Sequence, residues 1–142
     1  MGGALSPEIR SLLDGPNFGH LATLLPDGAP QVAPVWVGRE GDRVLVATGE
    51  GSLKARNTRR DARIALSVID FHDPYAEAQL RGRVVERRPD GDLHGMDEIS
   101  RKYTGQPFPM RSPEGRVILV IEVDRARYLK LPFRHTPPTA SR

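Results

Sequence analysis

The stretch Val44-Leu45-Val46-Ala47-Thr48-Gly49-Glu50-Gly51-Ser52-Leu53-Lys54-Ala55-Arg56-Asn57-Thr58-Arg59-Arg60-Asp61-Ala62-Arg63-Ile64-Ala65-Leu66 changes its hydrophobic period twice. Valine-rich Arg43 to Thr48 alternates as a half-buried strand does. Gly49-Glu50-Gly51 interrupts it. Ser52 can then cap a short helix that runs to Arg60 and stops at Asp61. From Arg63 to Ile69 the pattern returns to a strongly apolar strand. Strand, glycine turn, capped basic helix and strand therefore follow one another within 27 residues, from 43 to 69.

Upstream, Ser6-Pro7-Glu8 opens a helix whose apolar stripe is Ile9, Leu12 and Leu13, and Gly15-Pro16 ends it. Phe18 to Leu25 and Gln31 to Val37 read as two strands joined at Pro26-Asp27-Gly28, and Arg39-Glu40-Gly41-Asp42 is a further turn. Downstream, His72-Asp73-Pro74 separates a long strand, Ala76 to Arg87, in which Gly82 suggests a bulge. A polar, weakly helical stretch spans Leu93 to Tyr103, and Gly105 to Glu114, with three prolines, is a loop. Val117 to Val123 and Arg127 to Leu131 read as two last strands, and the tail from Pro132 as flexible. The expectation is a mainly β, β-rich α+β fold of six or seven mostly antiparallel strands with a few short helices. Closing such a sheet into a small barrel protects its edges. One domain over residues 1–142 is expected, with 132–142 as its tail.

Composition narrows the function. With 142 residues, 38% hydrophobic and 27% charged, the chain suits a soluble globular domain. No apolar run reaches membrane-spanning length, and Met1-Gly2-Gly3-Ala4-Leu5 lacks the basic start of a secretory leader, so a cytoplasmic location is expected. There is no cysteine, which excludes disulfides, zinc–thiolate sites and thiol catalysis. His20, His72, His94 and His135 show no metal-ligand spacing, and no metal is expected. A net charge of +3 favours an anionic partner.

That charge concentrates where the period changes. Residues 52–63 hold Lys54, Arg56, Arg59, Arg60 and Arg63 against Asp61, a local excess larger than that of the whole chain. Two glycines let the backbone approach a ligand, and the free N–H groups of a helix start attract an anion. A bland turn before a solvated basic helix has the same appearance, and the Glu50 carboxylate would repel a phosphate unless it points away.

The succession Asp27-Gly28-Ala29-Pro30-Gln31-Val32, Val44 to Thr48, Ser52-Leu53-Lys54-Ala55-Arg56-Asn57 and Arg60-Asp61-Ala62-Arg63-Ile64-Ala65-Leu66, then Tyr103-Thr104-Gly105 before a proline-rich loop, resembles the pyridoxamine 5′-phosphate oxidase-like superfamily of split β-barrels. It is most similar to the actinobacterial branch that uses the deazaflavin coenzyme F420. The likeness covers roughly residues 10–131. It implies that Ser52 and Lys54 contact the cofactor phosphate, with Thr48, Gly49 and Gly51 alongside, Asn57 nearby, and Arg56, Arg59 and Arg60 near enough to meet a polyglutamate tail. Gln31, Pro34, Val35 and Trp36 would lie along the ring system, and Gln79 would reach a cofactor across a homodimer interface. Flavin mononucleotide enzymes of this superfamily usually carry Arg immediately before the phosphate Lys. Leu53 stands there, which favours coenzyme F420 over flavin mononucleotide.

The resemblance thus implies an F420H2-dependent reductase passing a hydride to a small organic acceptor, with no catalytic side chain assigned. The alternatives are a flavin mononucleotide oxidase on the same fold and a basic nucleic-acid-binding module using Lys54 to Arg63. The second lacks the interleaved aromatics that grip single strands. Trp36 alone reads as a core filler, His20 as a structural histidine and Asp97-Glu98 as a solvated helix face. Tyr103 suits either the mouth of the site or packing beside Pro107-Phe108-Pro109.

Overall fold

The computed structural model describes residues 3–139. Three helices, α1 (Pro7–Asp14), α2 (Leu53–Arg60) and α3 (His94–Thr104), accompany seven strands. These are β1 (Gly19–Leu24), β2 (Pro30–Val35), β3 (Gly38–Glu40), β4 (Arg43–Gly49), β5 (Arg63–Ile69), β6 (Ala76–Pro89) and β7 (Arg116–Lys130). They form one antiparallel sheet in the order β2-β1-β5-β6-β7-β4-β3.

The two margins of this sheet, β2 and β3, are separated only by Trp36 and Val37. Three residue steps span at most roughly 10 Å, so the margins must meet at that end and the sheet must roll up. Its concave face holds the core: Leu21, Val35, Val44, Val46, Leu66, Val68, Leu80, Leu119 and Ile121 among others, with Ile9, Leu12 and Leu13 of α1 packed in. Alternation does this work, because β1, β4 and β5 each bury every second residue.

Both helix starts expected from the sequence form as capped turns. Ser6 Oγ accepts from Ile9 N at 3.3 Å and Ser52 Oγ from Ala55 N at 3.2 Å. The bulge at Gly82 is present as a register shift against β7. A Cβ there would lie 2.0 Å from the Glu122 carbonyl oxygen, so only glycine fits.

Three readings need correction. The strand expected from Gln31 to Val37 ends at Val35, and residues 38–40, of which Arg39 and Glu40 belong to an expected turn, pair with β4 as β3. The reason lies in side chains: Val37 N–H donates to the Tyr103 hydroxyl at 3.0 Å, and Val37 O accepts from Lys102 Nζ. The chain therefore crosses between margins at Trp36-Val37 instead of continuing the ladder. The two last strands are one, β7, because Asp124 is absorbed at the bulge opposite Gly82 and Arg125 faces outward. Finally, Asp97 is not on a solvated face. It is 8% exposed, and its Oδ1 accepts from Phe108 N at 2.9 Å and Arg111 Nη1 at 2.7 Å.

The tail has no regular structure over 131–139, and Tyr75 contacts the Phe133 and His135 rings. The expected tail residues 140–142, and Met1-Gly2 of the leader reading, lie outside the described residues. Among the described residues no helix is long and apolar enough to cross a membrane.

Candidate functional site

Where the rolled sheet's margins meet, a cleft of about 360 Å³ opens. Pro34 and Val35 come from the end of β2, Trp36 from the crossing, Ala47 and Thr48 from the end of β4, and Lys54 from α2. Aromatic and polar residues complete it: Phe18, Phe108 and Arg116, with Met96 and Ile99 of α3.

The cleft is lined by cations and by hydrogen-bond donors. Thr48, buried at 7% exposure, donates from Oγ1 to Ser52 Oγ at 2.8 Å. Ser52 Oγ also accepts from Ala55 N, so both of its lone pairs are taken and its own O–H is left to donate elsewhere. Lys54 lines the cleft, and its ammonium has no bonded partner among the described residues. Arg116 faces Gly49 across the β4–β7 ladder. Its guanidinium lies 5.4 Å from the Phe108 ring centroid, its Nη2 reaches Met96 Sδ at 3.4 Å, and its buried Nε has no hydrogen-bond partner. Arg116 has no carboxylate partner among the described residues, so its charge is available to an anion in the cleft.

Glu50, adjacent in sequence, does not oppose such an anion. Its Oε1 accepts from Arg59 Nη2 at 2.6 Å and Arg87 Nη2 at 2.7 Å, and the Arg87 bond comes first in holding the carboxyl below its usual range. Arg87 also donates to Ala55 O at 2.8 Å and Thr58 Oγ1 at 3.1 Å, tying the turn to the helix.

The cleft also carries an aromatic wall. Trp36 and Tyr103 stack with centroids 5.1 Å apart, and Phe108 meets Trp36 edge-on at 6.4 Å. Phe18 leans on Tyr103 at 5.8 Å. The Asp97 carboxylate anchors the loop that carries Phe108 to α3. The α3 helix is itself started by Asp90, whose carboxylate accepts from Gly95 N at 2.9 Å and Met96 N at 3.0 Å.

Of the residues expected from the sequence, Pro34, Val35, Trp36, Thr48 and Lys54 share this cleft, with Ser52 bonded to Thr48 and Gly49 beside Arg116. Gly51 and Arg56 are exposed at the turn and on α2. Asn57 and Arg60 are placed otherwise. Asn57 is 1% exposed and donates to Thr23 Oγ1 at 3.0 Å, while Arg60 donates to Asn57 Oδ1 at 3.0 Å and to Leu24 O, so both brace α2 against β1. Gln31 is half-buried on β2, and Gln79 lies exposed on β6 in a different groove with His20. The sequence reading missed Arg116, Phe18, Met96 and Ile99. Arg116 is brought in by β4–β7 register, for which no local pattern exists.

Residues 5–130 match the family model described as pyridoxamine 5′-phosphate oxidase. No curated protein matches the chain significantly. Among solved structures, an F420 reductase is 32% identical, with a TM-score of 0.77 over 83% of this chain and 94% of that one. A conserved hypothetical protein from Mycobacterium tuberculosis is 24% identical, with a TM-score of 0.71 over 99% of this chain and 95% of its own. General Stress Protein 26 from Bacillus anthracis, 19% identical, superposes with a TM-score of 0.65 over 86% and 91%. The last two show the fold alone.

Proposed function

Because the chain belongs to the pyridoxamine 5′-phosphate oxidase family, over residues 5–130, we propose that it is a reductase that binds the deazaflavin coenzyme F420. The family is one of flavin- and deazaflavin-dependent oxidoreductases. One observation carries the reading: Lys54 and Arg116, neither paired with an acid among the described residues, line one aromatic-walled cleft together with Thr48, to which Ser52 is hydrogen-bonded. Donors for a phosphate beside flat apolar surface suit a phosphate-bearing tricyclic cofactor.

When bound, reduced F420 supplies a hydride, which a small acceptor with an electron-poor double bond takes up together with a proton from solvent. The chain's residues hold and orient. Lys54, Arg116 and Ser52 neutralise and fix the phosphate. Pro34, Val35 and Trp36 give the ring a rigid floor, since Trp36 is backed by Tyr103. Phe108, edge-on to Trp36, adds apolar wall at the loop side. Leu53, 37% exposed on the first turn of α2, leaves the position before Lys54 uncharged, which supports the deazaflavin over flavin mononucleotide. The 32% identity with an F420 reductase supports the same choice. In this reading two copies of the chain share the cofactor groove.

Titrating the purified protein into F420 and following quenching of cofactor fluorescence, with flavin mononucleotide titrated in parallel, tests the assignment. Micromolar F420 binding with at least about tenfold weaker flavin mononucleotide binding is expected. A yellow preparation with a flavin spectrum, or no F420 quenching at micromolar protein, overturns it.

A further inference from the structure

The chain has three lysines, Lys54, Lys102 and Lys130. Lys54 lines the cleft, and Lys130 is exposed, its Nζ 3.8 Å from Asp73 Oδ2. Lys102 is held differently. Its Nζ donates to Leu13 O at 2.7 Å and to Val37 O, and stands 4.9 Å from the Tyr103 ring centroid. Two carbonyls take two N–H groups, which is all that a neutral amine has, so the lone pair is left over. No further acceptor is bonded to this nitrogen among the described residues. Lys102 also lines a cavity of about 490 Å³ formed by α3, β3 and the end of β6, with Leu45, Ile99 and Ile118 as its apolar wall. The charged groups around that cavity are engaged elsewhere. Asp14 is bonded to Arg39 at 2.8 Å, Glu40 to Arg88 at 3.0 Å and His94 to Glu98 at 3.0 Å. Asp90 accepts from Gly95 N and Met96 N, and Asp92 from His94 N.

We propose that Lys102 is an acylation site, modified by a small acyl phosphate that enters this cavity. The amine lone pair attacks the carbonyl carbon and a C–N bond forms. The C–O bond to phosphate breaks, phosphate leaves with that electron pair, and the surplus proton on nitrogen passes to solvent. The transferred acyl group is a neutral one, because a carboxylate-bearing group would set a second negative charge beside Asp14 and two carbonyl oxygens. Burial, which holds the group near 8, keeps a share of it as free amine at neutral pH. The amide product is uncharged, so acylation also removes a charge that burial penalises. An amide nitrogen keeps one N–H and serves Leu13 O or Val37 O, not both. Acylation therefore loosens the clamp on Val37, next to Trp36. The site does not rest on the cofactor reading, since the cavity shares only Ile99 with the cleft.

Incubating the native protein with acetyl phosphate between pH 7.5 and 9.5, then digesting it for mass spectrometry, compares the three lysines within one sample. At pH 7.5 Lys102 should acetylate at least about fivefold faster than Lys130. A group near 8 holds on the order of a hundred times more free amine there than one at the ordinary 10.5, which leaves a margin for its restricted access. The ratio should fall as pH rises to 9.5 and vanish in urea. The variant Lys54→Arg/Lys130→Arg leaves Lys102 as the only lysine, and in it Trp36 emission should change in step with acetylation. Lys102 labelling no faster than Lys130 at pH 7.5, an advantage that persists in urea, or complete acetylation that leaves Trp36 emission unchanged overturns the proposal.

Discussion

The Tyr103 ring lies parallel to the Trp36 indole, with centroids 5.1 Å apart and 9° between their planes. Its hydroxyl, beyond the stack, accepts from Val37 N at 3.0 Å and donates to Asn17 O at 2.6 Å. Next to it on α3, Lys102 Nζ donates to Leu13 O at 2.7 Å and to Val37 O. One helix therefore clamps both backbone groups of Val37, at the point where the chain crosses between sheet margins and turns Trp36 into the cleft.

Replacing Tyr103 by Phe keeps the stack and removes the hydroxyl. Val37 N–H and Asn17 O, both in buried residues, then lose their shared partner. The expected cost is about 1–3 kcal/mol, seen as a lower urea midpoint with unchanged slope. An unchanged midpoint would mean that the hydroxyl does not hold the crossing.

Burial lowers the Lys102 ammonium to about 8, against the opposing attraction of Asp14. Below pH 8 the group is charged in both folded and unfolded chains, and folding carries the full penalty of burying it. Between about 8 and its ordinary value of 10.5 the unfolded chain binds more protons, so stability contributed at Lys102 rises with pH. The difference in unfolding free energy between wild type and Lys102→Met should therefore shift in favour of wild type from pH 7.5 to 9.5. A difference flat across that range would place the ammonium in solvent.

The Asp97 carboxylate is held below its ordinary value first by Arg111 and then, against burial, by the Phe108 N–H. Its contribution is present above the ordinary carboxylate range and fades as pH falls through the lowered value. Asp97→Asn removes the charge at nearly constant shape. Trypsin should then cleave after Arg111 several times faster at neutral pH, because the bond to that side chain weakens. Equal cleavage rates would show that the loop is held by other contacts, such as the Ser100 Oγ bond to Gln106 O at 2.8 Å.

In the cleft, Arg116→Gln removes the charge and the orphaned Nε together. About tenfold weaker F420 binding is expected, with no loss of thermal stability. Ser52→Ala removes the helix cap as well as the free hydroxyl, so it should weaken both binding and stability, the latter by about 1 kcal/mol. An Arg116→Gln protein with unchanged affinity would move the anion end of the site away from β7.

Much of this was legible in the sequence because it is written locally. The Ser52 cap, the glycine at the bulge and the alternation of β1, β4 and β5 depend on neighbours one to four residues away. Pro34, Val35, Trp36, Thr48 and Lys54 were grouped by family likeness, and they do line one cleft. What escaped was set by register and by distant side chains. Arg116 reaches the site only because β7 pairs with β4. The second sheet strand stops at Val35 because a tyrosine 66 positions from Val37 takes its N–H. Asn57, which the family likeness places near the cofactor, spends its amide on Thr23 of β1. The β7 strand hides behind Asp124-Arg125, whose charges read as a break until the bulge opposite Gly82 is seen.

Lys54 is the side chain on which the cofactor reading turns, since it lines the cleft with no partner of its own among the described residues. The direct measurement is the dissociation constant of F420 for wild type and Lys54→Ala, read both from cofactor fluorescence and from quenching of Trp36, the only tryptophan. The account predicts micromolar binding by wild type, quenching of Trp36 on saturation, and at least about tenfold weaker binding by a normally folded Lys54→Ala. Equal affinities, or binding that leaves Trp36 emission untouched, would contradict it.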